Sequence, residues 1–182
     1  GKKLAKHNPE RANKLGMCLL PEDRKQEGLA LSLSIRENTV ISSLRALNPT
    51  GIINDAKERR EVQKSIDELE IATSTMDKLA KFLSGGTQQK VVIAKWLMSQ
   101  SKVFIFDEPT RGIDVGAKSS IYQLMDDLVG RGAAILMISS DLTEIMGMSD
   151  RIYVMSGGTV VGELDQRQAT QSDILQLAFS NV

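Results

Sequence analysis

LSGGTQQK (residues 83–90) and, after one helix length of chain, VFIFDE (residues 103–108) decide how this sequence is read. In the first stretch Ser84 offers a hydroxyl, and Gly85 and Gly86 lack the side chains that would keep an anion away from the backbone N–H groups. VVIAKWLM follows with apolar spacing suited to a helix that starts near the turn, so the positive helix end falls at the same place. The plainer alternative is a serine-capped helix with a glycine turn in front of it. In the second stretch, Val103 to Phe106 is a continuous apolar run, β-branched and aromatic, bounded by Lys102 and Asp107. This is the pattern of a buried parallel strand. Asp107 and Glu108 stand at its carboxyl end, where open α/β sheets carry their chemistry. The first suits a divalent metal and the second the orientation of a water molecule; salt bridging or capping of the next turn is the alternative for such an acidic pair.

Outward from this centre the pattern alternates. AKSSIYQLMDDLVG (117–130) reads as a helix and AAILMIS (133–139) as a second buried strand, so strand, helix and strand form a βαβ unit. A further helix, DLTEIMGM (141–148), precedes a strand pair within RIYVMSGGTVVGEL (151–164). Toward the N-terminus, Gly16 to Pro21 is a short buried strand ended by proline, followed by the charged loop EDRKQEG (22–28). SIRENTVISSLRAL (34–47) is expected to be one helix opened by a capping box of Ser34 and Glu37, and stopped by Asn48, Pro49, Thr50 and Gly51. DAKERREVQKSIDELEI (55–71) places Val62, Ile66 and Leu69 on one face, an amphipathic helix whose charges are a solvated face.

Composition narrows the function classes. The 182 residues are enough for one domain with a real core, and 41% hydrophobic with 25% charged residues is the balance of a soluble globular chain. The 23 basic and 23 acidic side chains cancel, which removes the electrostatic footprint of a nucleic-acid binder. Cys18, the single cysteine, permits no intramolecular disulfide, and its apolar neighbours mark a buried thiol in a reducing compartment. No run approaches the roughly 18 apolar residues that cross a bilayer, so work at a membrane would need another chain to span it. His7 is expected to face solvent, and Met137, Met146, Met148 and Met155 to fill the core rather than hold a metal.

Taken together these stretches resemble the ATP-binding cassettes of ABC transporters. LSGGTQQK is similar to the family's signature motif and VFIFDE to its Walker B strand. DEPTRGIDVGAK resembles the segment that continues into the D-loop, with Asp114 in the latter; PEDRKQEGL stands where the Q-loop is usual, and SSDLTEI where the switch segment is. The fold so implied is α/β, a P-loop NTPase-like and mostly parallel sheet flanked by helices with a helical subdomain. The subdomain would occupy about residues 34–85, and residues 86–182 would carry Walker B, D-loop and switch. The resemblance implies ATP and Mg²⁺ as ligands. Asp107 would hold the metal, and Glu108 and Ser140 would act at the γ-phosphate. Ser84, Gly85, Gly86, Thr87, Gln88, Glu22 and Asp114 would contact nucleotide.

Two departures narrow it further. Glu22 follows Pro21 where most cassettes have glutamine, and Ser140 stands where histidine is usual. With EDRK, TRGIDVGAK and GMSDRI, these resemble the second cassette of the fused double-cassette proteins that drive bacterial monosaccharide importers of the ribose, galactose and arabinose type. The partners implied are a second cassette, a membrane-spanning permease contacted by residues 22–28, and no nucleic acid. The place implied is the cytoplasmic face of the inner membrane. That architecture also implies a polypeptide about two and a half times as long. A serine can hydrogen-bond a phosphate but brings no positive charge, so a regulatory, weakly hydrolytic half is one alternative. A soluble ABC ATPase acting on nucleic acid is the other. No P-loop of the form G-x-x-x-x-G-K-[ST] occurs in the 182 residues, so the segment alone is expected neither to bind ATP tightly nor to hydrolyse it.

Overall fold

The computed structural model describes residues 8–180, which places the expectation for His7 outside the described residues. The chain divides between Leu136 and Met137 into two compact bodies.

The first body opens with α1 (Pro9–Lys14), capped by the Asn8 side chain, which accepts the Arg11 N–H at 2.8 Å. β1 (Met17–Leu20) follows and pairs in parallel with β2 (Val103–Asp107), Met17 opposite Val103 and Leu20 opposite Phe106. With β3 (Ala134–Ile138) they make a sheet of order β1-β2-β3. Alternation along the strands sends Leu20, Phe104 and Phe106 to one face, where all are buried and the two rings stack with centroids 6.3 Å apart. Buried with them is α5 (Gly85–Met98), whose Val91, Val92, Ile93 and Ala94 are fully enclosed. Side chains of this size each contribute on the order of 2 kcal/mol by leaving water. α6 (Val115–Gly130) adds buried Ile121, Met125 and Leu128.

The region between the strands is helical. α2 (Ile35–Val40) starts at the expected capping box: Ser34 N–H donates to Glu37 Oε2 at 2.7 Å, and Ser34 Oγ accepts the Glu37 N–H at 3.2 Å. Asn38, buried beside it, donates to the carbonyls of Ala30, Leu33 and Ser34 and accepts the Ala30 N–H, so the segment leading into the helix is pinned. The single helix read over 34–47 is in fact two. α2 ends at Val40, a turn covers residues 41–43, and α3 occupies Leu44–Leu47. Thr39 Oγ1 donates back to the Ile35 carbonyl at 2.8 Å and Ser43 Oγ to the Val40 carbonyl at 3.2 Å. Such hydroxyls compete with the helical ladder within a β-branched run that propagates it poorly. α4 (Asp55–Glu68) buries Val62 and Ile66 as its spacing requires, and packs against α2 and α5.

The second body consists of α7 (Leu142–Met148), the antiparallel pair β4 (Arg151–Ser156) and β5 (Thr159–Asp165), and α8 (Gln171–Ala178). Ile152, Val154 and Ile174 form its core, with Met146 and Leu177 packed against them. Gly157 and Gly158 take φ of 56° and 80°, as a two-residue hairpin turn demands. Two burial expectations are corrected. β3 alternates between exposed and half-buried residues, because its apolar run is only partly covered on either face. Met155 is 63% exposed, on the outward face of a strand whose alternate residues, Ile152 and Val154, take the core.

Candidate functional site

The glycine turn lies at the start of α5. Ser84 is its N-cap and is exposed; its Oγ accepts the Thr87 N–H at 3.3 Å and lies 2.9 Å from Thr87 Oγ1. Gly86, Thr87 and Gln88 are buried, and Gln88 turns its amide inward to donate to the Ala80 carbonyl at 3.1 Å. The turn therefore presents the Ser84 hydroxyl at the head of the helix, with Gly85 half-buried beside it and the residues from Gly86 to Gln88 covered. Both readings of this stretch survive at once, since a serine cap and an anion-facing turn use the same geometry.

The carboxylate pair lies at the carboxyl end of β2. Asp107 and Glu108 are each partly buried. Glu108 adopts φ 47°, a left-handed conformation that costs a residue with a Cβ about 1 kcal/mol or more, so the chain leaves the strand through a strained corner. The loop then turns through Thr110 and Gly112 to Asp114, whose Oδ1 accepts the Ala117 N–H at 2.9 Å and caps α6. Ser84 and Asp114 are thus both helix caps, each exposed at the head of its helix.

Sequence reasoning missed the residue that ties these parts together. Arg24 lies in the π-helical turn Arg24–Gly28, inside the run that reads as a charged loop, yet it is only 8% exposed. Its Nη1 donates to the Arg111 carbonyl at 2.9 Å and its Nη2 to the Gly112 carbonyl at 3.2 Å. A Cβ at Gly85 would fall 2.7 Å from Arg24 Nη2 and 2.9 Å from the Gly112 carbonyl oxygen. The first glycine of the turn is therefore required by a close approach of three segments, quite apart from any ligand. Burial pulls the guanidinium below its ordinary pKa, with the charge of Asp23 opposing. Glu22 is exposed and forms an ion pair with Arg111. At the other end of the π-helical turn, buried Lys95 of α5 donates to the Gly28 carbonyl at 2.7 Å, and desolvation lowers its pKa. No local signal marks Arg24 in the sequence, because the carbonyls it binds lie 87 and 88 residues away.

In the second body Ser140 is exposed in the turn before α7. Ser139 Oγ donates to buried Glu144 and accepts the Asp141 N–H at 3.1 Å, while Asp141 Oδ1 caps α7 through the Thr143 N–H at 2.9 Å. The turn that carries Ser140 is thereby held on both sides.

Residues 5–111 match the protein family described as ABC transporter. Over 178 residues the chain is 51% identical to the ribose import ATP-binding protein RbsA of Bacillus subtilis strain 168, covering 98% of this chain and 36% of that protein. It is 47% identical over 180 residues to ribose import ATP-binding protein RbsA 2 of Streptomyces coelicolor, covering 99% of this chain and 35% of that protein. The chain spans about a third of the length of the curated relatives it matches. Among solved structures it superposes on a nucleotide-free ATP-binding cassette from an ABC transporter with a TM-score of 0.76 at 21% identity, covering 94% of this chain and 71% of that one. The ADP conformation of an ATP-binding cassette gives a TM-score of 0.72 at 24% identity, covering 100% and 72%. These likenesses support the α/β fold with a parallel sheet and flanking helices.

Proposed function

From the premise that this chain belongs to the ABC transporter family of ATP-binding proteins, we propose that it is part of the ATPase motor of a bacterial carbohydrate importer, of the ribose type to which its relatives belong. The observation that carries this reading is the exposure of Ser84 at the open start of α5, in the same body as the carboxylate-tipped strand β2. A glycine turn at a helix start and a carboxylate pair at a strand end, carried by one compact body, suit a protein that clasps a nucleoside triphosphate.

In this reading the segment is the second cassette of a fused pair. The turn Ser84 to Gln88 works on ATP held by the partner cassette, with Ser84 Oγ and the backbone N–H groups of the turn meeting the γ-phosphate. Asp107 is the residue that would hold Mg²⁺. The donor chemistry is compatible with that role: Asp107 offers a carboxylate at the carboxyl end of β2, and Mg²⁺ in nucleotide sites is held by one or two carboxylates with phosphates and water. When bound, the ion neutralises phosphate charge. Glu108 orients the attacking water, and Asp114 lines the junction between the cassettes. Glu22 stands in the Q-loop position, and residues 22–28 face the permease. No helix among the described residues is long and apolar enough to cross a membrane. In this reading, which rests on the likeness to ribose import ATP-binding proteins, the motor sits peripherally on the cytoplasmic face of the inner membrane and the permease spans the bilayer. The P-loop that grips the β- and γ-phosphates is to be supplied by sequence outside these 182 residues.

The test uses the intact protein assembled with its permease. Glu108→Gln is expected to lower ATP turnover about a hundredfold. Ser84→Ala and Ser84→Asn are both expected to reduce it, although asparagine caps a helix as well as serine does. Undiminished ATPase and sugar uptake in Glu108→Gln together with both Ser84 variants would overturn the reading. Ser140, uncharged where the family resemblance expects histidine, favours a second reading in which this half regulates and the partner hydrolyses. A large loss from the matching glutamate change in the partner cassette, against a small one from Glu108→Gln, would select it.

A further inference from the structure

We propose that Arg24 is a positioning residue, a guanidinium latch that holds the glycine turn at residues 84–88 and the loop at 108–114 in one register. The inference rests on the reading above for its link to ATP hydrolysis, and on geometry alone for the latch itself.

Three segments far apart in sequence converge on this side chain. Its fork donates to two consecutive main-chain carbonyls, those of Arg111 and Gly112, in the loop that leads from Glu108 to Asp114. Gly112 turns its backbone through φ 65° within that loop. Gly85, the first residue of α5, approaches so closely that a methyl group there would strike both the guanidinium and the Gly112 carbonyl. A planar guanidinium presents donors in a fixed fork, so bridging two neighbouring carbonyls fixes its orientation as well as its place; an ammonium would serve one of them as a point charge.

An enclosed cation is not what stability by itself would select. Arg24 Nε has no hydrogen-bond partner, and an apolar side chain could fill the space without desolvating a charge. What only the cation supplies is a shared reference for two loops that must present their groups to one nucleotide. The π-helical turn that carries Arg24 is fixed at its other end too, where Lys95 of α5 holds the Gly28 carbonyl. A displacement of the turn at residues 22–28 is therefore transmitted to α5 and to the loop after Glu108 together. Glu22 and Arg111 add a second tie between the same two loops, but an exposed pair of this kind contributes little.

The experiment has two arms. In the first, hydrogen exchange is followed on the intact protein carrying Arg24→Ala or Arg24→Lys. Amides of residues 84–88 and 111–114 are expected to exchange about tenfold faster or more in Arg24→Ala, less so in Arg24→Lys, with residues 55–68 unchanged. Unchanged exchange, or a uniform rise through the first body, would overturn the latch. In the second arm, ATP turnover with the permease is expected to fall about tenfold in kcat for Arg24→Ala with ATP KM within about twofold, because misplaced groups are felt in the transition state. Arg24→Lys should fall between, and Arg60→Ala, an exposed charge loss on α4, should match the parent. An unchanged kcat, or an equal loss in Val62→Ala at the same drop in thermal midpoint, would refute the positioning role. Should the parent show no ATPase at all, the function proposed above fails, while the exchange arm still decides the latch.

Discussion

At the scale of single residues, burial decides how far a side chain's chemistry is open to solvent. Cys18 is 4% exposed and its Sγ lies 3.6 Å from the Val103 carbonyl. Burial pushes its pKa up to about 11, against smaller opposing effects of Ser101 and Lys95. Since the thiolate is the nucleophile, iodoacetamide at pH 8.5 should alkylate the native chain about a hundredfold more slowly than the denatured one. The native rate should still be climbing as the pH passes 10, where an ordinary thiol has levelled off. Equal rates in the two states would contradict the burial of Cys18. The places of Ser84 and Asp107, at a helix head and a strand end, were legible because local chemistry announces them, a hydroxyl before glycines and a carboxylate after an apolar run, whereas Asp114 entered through the family resemblance. Arg24 was not legible. Its partners lie 87 and 88 residues away, and nothing within EDRKQEG distinguishes a buried arginine from its solvated neighbours.

At the scale of elements, the proposed site is made of ends: the head of α5, the tip of β2 and the head of α6. Asp114 is exposed, so its carboxylate both caps α6 and is open to a partner. Asp114→Ala should cost about 1 kcal/mol of stability, whereas Asp114→Asn should cost only a few tenths, read from denaturant midpoints of the two variants. If ATP turnover of the intact protein then falls in both variants alike, the carboxylate has a role beyond the cap; recovery in Asp114→Asn would reduce it to a cap. Periodicity gave most helices within a few residues, as for α4, whose Val62 and Ile66 are buried on schedule. It failed at residues 41–43, because apolar spacing continued across the turn while the decisive event was a pair of hydroxyls bonding backward to Ile35 and Val40.

For the whole molecule, the parallel order of the sheet and the pairing of β4 with β5 could be read from strand, helix and turn succession, but the degree of covering could not. A continuous apolar run looks the same whether both faces are packed or one is left partly open. Leu19 is 47% and Leu136 52% exposed, on β1 and β3, the two outer strands of the described sheet. Apolar outer strands invite pairing between copies, so the 182-residue chain prepared alone should self-associate at micromolar concentration in sedimentation velocity, and Leu19→Lys should weaken that association. A single monomeric boundary across the whole concentration range would contradict this. The Arg24 fork has a consequence for how such proteins diverge. Because it addresses main-chain oxygens, the receiving positions carry no side-chain imprint of the bond, and drift at Arg111 need never be answered by drift at Arg24. Statistical methods that infer contacts from correlated substitution across many descendants should pass over this junction in silence, even if every one of them retains it.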